Sequence, residues 1–134
     1  MAGIGKIISV ALVCLLVVGC SPPFAWEGRW KGAHKFDLKP GQSKEIAYSL
    51  NKIDLQIHPN GKFDLFAGGF PMDGRWVGGP SEATLTVLGV LNQPTDRMGK
   101  TPTIRLRKVD PNAIVYEDGI SEPVQLTRES QPSP

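Results

Sequence analysis

Histidine, cysteine and one-sided charge are all scarce in this chain. Its 134 residues hold two histidines, two cysteines, and 15 basic against 13 acidic side chains. So even a balance leaves no electrostatic footprint for nucleic acid. His34 and His58 stand far apart, and nothing in the order of residues brings them to Met72 or Met98 as a metal set. No nucleophile elbow and no phosphate loop occurs. Gly68-Gly69 and Gly78-Gly79 are isolated pairs that read as bends between strands. The acidic residues are scattered, and no pair suited to acid–base work stands out. The expectation is a protein that is not an enzyme and carries no cofactor or metal. Long apolar runs are also missing, apart from Ile7 to Val18, which falls short of the ~20 residues that span a bilayer.

That one apolar run has an ordered setting. Met1 to Lys6 carries a single positive charge, the run follows, and Val17-Val18-Gly19-Cys20 ends it with a small residue before a cysteine. This is the order of a secretory signal. A cysteine at the first mature position resembles the lipobox of bacterial lipoproteins. The resemblance implies a signal peptide over residues 1–19, cleavage between Gly19 and Cys20, and a diacylglyceryl group on the Cys20 thiol. The membrane is then a partner, reached through the lipid on Cys20. Each buried methylene adds ~0.8 kcal/mol, so two or three acyl chains make a practically permanent anchor. Ser21 follows the cysteine, which in the sorting rule of enteric bacteria permits export to the outer membrane. The expected address is the cell envelope, on the periplasmic face of the outer membrane in a Gram-negative organism. The competing reading is an ordinary signal peptide that leaves Cys20 as a free thiol. With Cys14 discarded, the mature chain holds no cysteine pair for a disulfide, redox chemistry or a thiolate metal site.

The 115 residues that remain make one domain with a modest core. They keep all 12 prolines and all glycines but Gly3, Gly5 and Gly19, which argues for short elements and many turns. Residues 52–66 are the clearest part. Ile53, Leu55 and Ile57 alternate with polar residues, as do Phe63 and Leu65, around His58-Pro59-Asn60-Gly61. A two-residue turn at Asn60-Gly61 pairs His58 with Phe63 and mixes the faces. A three-residue loop, Pro59-Asn60-Gly61, pairs Ile57 with Phe63 and Leu55 with Leu65, which leaves one apolar face. Pro59 and Gly61 suit the turn and its left-handed closing position. Weaker strands are expected over 26–32, 72–78, 83–87, 103–109, 113–117 and 123–128, so seven or eight in all with the hairpin, which favours a barrel or sandwich. Residues 33–48 read as a loop with one helical turn or as an edge strand. Residues 92–100 read as a surface loop.

Gly28-Arg29-Trp30 and Gly74-Arg75-Trp76 echo each other. The first precedes Asn60-Gly61-Lys62-Phe63, and the second precedes Ala83-Thr84-Leu85-Thr86-Val87. A strand ending in Val124-Gln125-Leu126-Thr127-Arg128 comes last. This order resembles the small lipocalin-like (calycin-like) β-barrel domain of uncharacterised bacterial lipoproteins, over roughly residues 26–128. The resemblance implies an all-β antiparallel meander of seven or eight short strands curled into a barrel, with 20–25 as a lipidated tether and 129–134 as a disordered tail. Copper-resistance envelope lipoproteins look similar but carry a Cys-x-x-Cys, which this chain lacks.

Independently of that resemblance, a glycine two places before a tryptophan shares its strand face and leaves room for an indole or a sharp bend. Trp30 and Trp76 are expected near one end of the barrel, filling the core or, with Tyr116 and Phe66, lining a pocket. Phe66 faces away from Phe63 and Leu65 and is a candidate contact residue. Arg97, Lys100, Arg105, Arg107 and Lys108 form the one basic cluster, read as a solvated face. The functional expectation is a non-catalytic binding or interaction module held at a membrane, its partner a small apolar ligand or an envelope protein. The alternative is a structural or inhibitory envelope lipoprotein that works through protein contacts alone.

Overall fold

Alternating apolar and polar residues build the wall of this molecule. The computed structural model describes residues 23–99 and 101–130. The expected signal segment, Cys20, Lys100 and residues 131–134 lie outside the described residues. In chain order the elements are β1 (Gly28–Ala33), α1 (Lys44–Asn51), β2 (Lys52–Ile57), β3 (Lys62–Ala67), β4 (Phe70–Gly78), β5 (Glu82–Val90), β6 (Gln93–Pro94), a 3-10 turn (Thr95–Met98), β7 (Thr103–Asp110), β8 (Ala113–Glu117) and β9 (Val124–Arg128).

Every strand pairing is antiparallel. Eight strands form a ring in the order β1, β2, β3, β4, β5, β7, β8, β9. Trp30 opposite Arg128 and Lys31 opposite Thr127 then join β1 to β9 and close it. The all-β, lipocalin-like barrel expected from the sequence is the observed fold. Closure leaves no long unpaired edge. The two-residue β6 pairs with β5 beyond the start of β7, with Val90 opposite Gln93.

The β2–β3 register is the one that keeps a single apolar face: Ile57 opposes Phe63 and Leu55 opposes Leu65. Gly61 has φ +83° in the loop between them. Ile53, Leu55, Phe63, Leu85, Leu106, Ile114 and Leu126 are buried in the middle of the barrel. Each such aliphatic or aromatic side chain contributes about 1.5–3 kcal/mol when taken out of water. The buried core lies wholly between Trp26 and Leu126, so the barrel carries its own core. At Gly74 the β4–β5 register shifts, and a Cβ there would lie 1.9 Å from the Thr86 carbonyl oxygen. Only a bare backbone can make that approach, so of the two roles expected for a Gly-x-Trp glycine, room for an indole or a sharp bend, Gly74 takes the second.

Two segments differ from expectation. Residues 44–51 form an eight-residue helix, longer than a single turn and not an edge strand. Ile46, Tyr48 and Leu50 alternate as a strand would, but all three are exposed and only Ala47 is buried. Local capping decides the conformation: the Ser43 Oγ accepts from the Ile46 N–H at 3.4 Å, and Glu45 sits in the positive first turn. Residues 92–99 are more ordered than a surface loop. Leu91 and Asn92 both take positive φ, turning the chain into β6, and the buried Thr95 hydroxyl donates to the Val87 carbonyl at 2.8 Å.

Candidate functional site

The two ends of the barrel are chemically opposite. At one end lie the start of β1, the β2–β3 loop and the end of β9, and this end is plugged. Trp30 is fully buried, and its indole N–H donates to the Trp26 carbonyl at 2.9 Å. Trp26 donates in turn to the Gly79 carbonyl at 2.9 Å. The Phe24 ring stacks on Trp30 at 6.3 Å and meets Trp26 edge-on at 4.5 Å. The Arg128 guanidinium lies 4.2 Å from the Trp30 ring centre, a cation–π distance. It also donates to the carbonyls of Ala25 at 2.6 Å and Glu27 at 2.8 Å. The segment 24–27 is thereby strapped across the end of the barrel. Trp76 is partly buried against the same core, and its indole N–H donates to the His58 carbonyl at 2.8 Å.

The other end is open. A cavity of about 930 Å³ enters there, between the ends of β1, β3 and β8 and the starts of β7 and β9. That volume lies within the range of small-molecule sites. Met72, Val87, Ile104, Tyr116 and Val124 face into it, contributed by β4, β5, β7, β8 and β9. Inward alternation on each strand supplies these side chains, and the small Ala67 on β3 leaves room between them. The rim is mixed. His34 and Lys35 stand on one side, Asp118 and Glu122 on the other. Exposed apolar residues also ring the mouth: Leu50 from α1, Phe70 from β4, and Ile120, which is 92% exposed.

Tyr116 is the one candidate residue that lines this cavity; Trp30 and Trp76 are core residues of the plugged end. Burial, reinforced by the charge of Asp118, pushes the Tyr116 phenol well above its usual range, so it remains a neutral donor. Phe66 is on the outer face and exposed, beside Pro71 and Asp73 in a separate shallow groove. His34 and His58 belong to opposite ends of the barrel, and His58 contacts Asp64 at 2.7 Å. Among the described residues no group of three or more histidine, cysteine or acidic side chains converges for a metal. Arg105 and Arg107 face outward, and Arg107 is paired with Glu117.

Arg128, Phe24 and the cavity mouth did not stand out in the sequence. Arg128 had a signal: Val124, Leu126 and Arg128 share one face of β9, so an arginine is aimed toward the core side. The mouth had none, because its lining comes from segments far apart in the chain. Set against family models, curated proteins and solved structures, the chain matches none of them, so the site has to be read from its own geometry.

Proposed function

We propose that this chain is a lipid-anchored envelope protein whose barrel binds a small, largely apolar molecule at its open end, without catalysis. The observation that carries the binding half is the cavity itself. One end of the barrel is filled by Trp26, Trp30 and Phe24, while the other keeps about 930 Å³ walled by Met72, Val87, Ile104 and Val124. A barrel whose only task was to be stable gains most by filling both ends with its own side chains. The anchoring half is supported by the order Lys6, apolar run, Gly19, Cys20, and by its resemblance to a lipobox. The lipid would hold the protein in the envelope, on the periplasmic face of the outer membrane in a Gram-negative cell.

Native mass spectrometry of residues 21–134, purified gently from a periplasmic extract, tests the binding half. A mass excess that disappears on denaturation is the expected result. A bare monomer mass would sink the small-ligand reading and favour a protein that works through its partners. For the anchor, Cys20→Ala is expected to move the protein from the membrane fraction to the soluble one. Retention of the variant in membranes would remove the lipid from the account.

A further inference from the structure

Polar residues line the mouth of the cavity, but of the strand side chains that face inward, Met72, Val87, Ile104, Tyr116 and Val124, only Tyr116 carries a polar group. Tyr116 sits on β8, opposite Leu106 on β7 and Val124 on β9, and is 3% exposed. Its hydroxyl makes no hydrogen bond to any described residue. Yet among the described residues no side-chain oxygen or nitrogen is both sealed off and unpartnered. Among the described residues the hydroxyl therefore keeps open surface, and the open space that Tyr116 lines is the cavity. A donor left without a protein partner in an apolar surrounding favours an occupant that supplies an acceptor.

The charges around that hydroxyl restrict the acceptor. Glu117 follows Tyr116 directly but is paired with Arg107 on the outer face, so the charge acting on the phenol is Asp118, two residues on, whose carboxylate accepts from the Ile120 and Ser121 N–H groups and also lines the cavity. Glu122 adds a second acidic group to the same side of the mouth. The one lysine that lines the cavity, Lys35, follows β1, which is two strands away from β8 across β9, or about 10 Å along the wall. Lys35 is exposed, so its charge is screened by solvent. No described cation faces the inner end. A carboxylate placed beside Tyr116 would lose its hydration with no cation to replace it and with Asp118 repelling it. A carbonyl oxygen has no such penalty and accepts from a phenol well.

Resting on the binding reading above, we infer that the open-end cavity takes a neutral apolar molecule bearing one inner hydrogen-bond acceptor, an ester, ketone or amide carbonyl, which Tyr116 recognises, and that it excludes carboxylates. The ligand's body lies against Met72, Val87, Ile104 and Val124, and its acceptor lies against the phenol.

The test uses residues 20–134 with Cys20→Ala, which retain the whole barrel. N-phenyl-1-naphthylamine, a neutral fluorophore without a carbonyl, reports occupancy, and methyl decanoate and decanoate compete for it at pH 7.5. Methyl decanoate is expected to displace the fluorophore at a concentration at least tenfold lower than decanoate. In Tyr116→Phe, the ester should lose about five- to tenfold in affinity relative to the fluorophore, the loss of one hydrogen bond. Asp118→Asn should raise decanoate affinity severalfold, which a purely structural role for Tyr116 would not explain. Melting curves identify any variant that fails to fold, and Asp118→Asn keeps the inference testable if Tyr116→Phe does so. Equal displacement by the acid and the ester would overturn the inference and leave the binding reading standing. So would a Tyr116→Phe ester affinity that falls no further than that of the fluorophore. A wild-type barrel that binds neither the fluorophore nor the ester would overturn both.

Discussion

Gly61 and Asp54 show how single positions bear on the whole barrel. At φ +83° Gly61 closes the β2–β3 loop and accepts a backbone hydrogen bond from the Trp76 N–H at 3.0 Å. A β-branched side chain in that region is strained by about 1–3 kcal/mol. Gly61→Val is therefore expected to lower the melting temperature by several degrees, and an unchanged melting curve would refute the strain argument. Asp54 titrates below the usual carboxylate range. The Arg29 guanidinium is the main cause, donating at 3.0 and 2.9 Å to its two oxygens, with partial burial opposing and the charges of Arg29, Lys31 and Lys52 adding to the effect. The sign of the linkage follows. Above about pH 4 Asp54 is ionised whether folded or unfolded, and the pairing contributes fully. As pH falls further the unfolded chain takes up the proton first, so stability is lost as the pH passes through the lower, folded value. Asp54→Asn should therefore show a flatter fall in melting temperature below pH 4 than the wild type. Parallel curves for the two proteins would assign the acid loss to other groups.

At the scale of elements, what the sequence revealed depended on how local the deciding contact was. The β2–β3 register was legible because Ile57, Phe63, Leu55 and Leu65 lie within a dozen residues and only one pairing keeps them on one face. The helix over 44–51 was ambiguous because Ile46, Tyr48 and Leu50 imitate a strand, while the Ser43 cap that settles the matter is a single side-chain contact. The cavity was not legible: Met72, Val87, Ile104 and Val124 meet only once β1 has closed on β9. Tyr116 could be named from its aromatic type but not distinguished from Trp30 and Trp76, since facing inward is common to all three and position along the barrel axis is not. The strap over 24–27 depends on the same closure. It is held by Arg128 from the far end of the chain, through the carbonyls of Ala25, Glu27 and Pro111. Arg128→Met keeps the aliphatic stem and removes those bonds together with the cation–π contact. It is expected to destabilise the barrel by on the order of 2 kcal/mol and to shift the tryptophan fluorescence to the red as Trp26 and Trp30 meet water. Unchanged emission and melting would mean that Phe24 and Trp26 hold the strap unaided.

On the scale of the molecule, the plug lies at the end of the barrel nearest in sequence to the proposed anchor. Phe24 packs on Trp26 and Trp30 at the closed end, with the Lys108 ammonium 5.5 Å from its ring centre. Four residue-to-residue steps separate it from Cys20, a reach of at most about 14 Å. The six residues of β2 rise about 20 Å, and at the ~40° tilt of barrel strands the two ends stand about 15 Å apart. A lipid on Cys20 therefore draws the plugged end to the bilayer and turns the mouth toward the aqueous side. Under that geometry the ligand is exchanged with solvent or with a carrier, and the exposed Leu50, Phe70 and Ile120 are available to a protein rather than to the anchoring membrane. If Cys14 is removed and Cys20 acylated as proposed, a single introduced cysteine can carry a fluorophore. Asn112→Cys marks the closed end, next to the Pro111 carbonyl that Arg128 holds, and Ile120→Cys marks the mouth. In vesicles bearing a headgroup quencher, the label at 112 is expected to be quenched and the label at 120 to stay bright. Stronger quenching at 120 would put the mouth on the membrane, make its apolar ring a lipid contact, and route the ligand directly between bilayer and barrel.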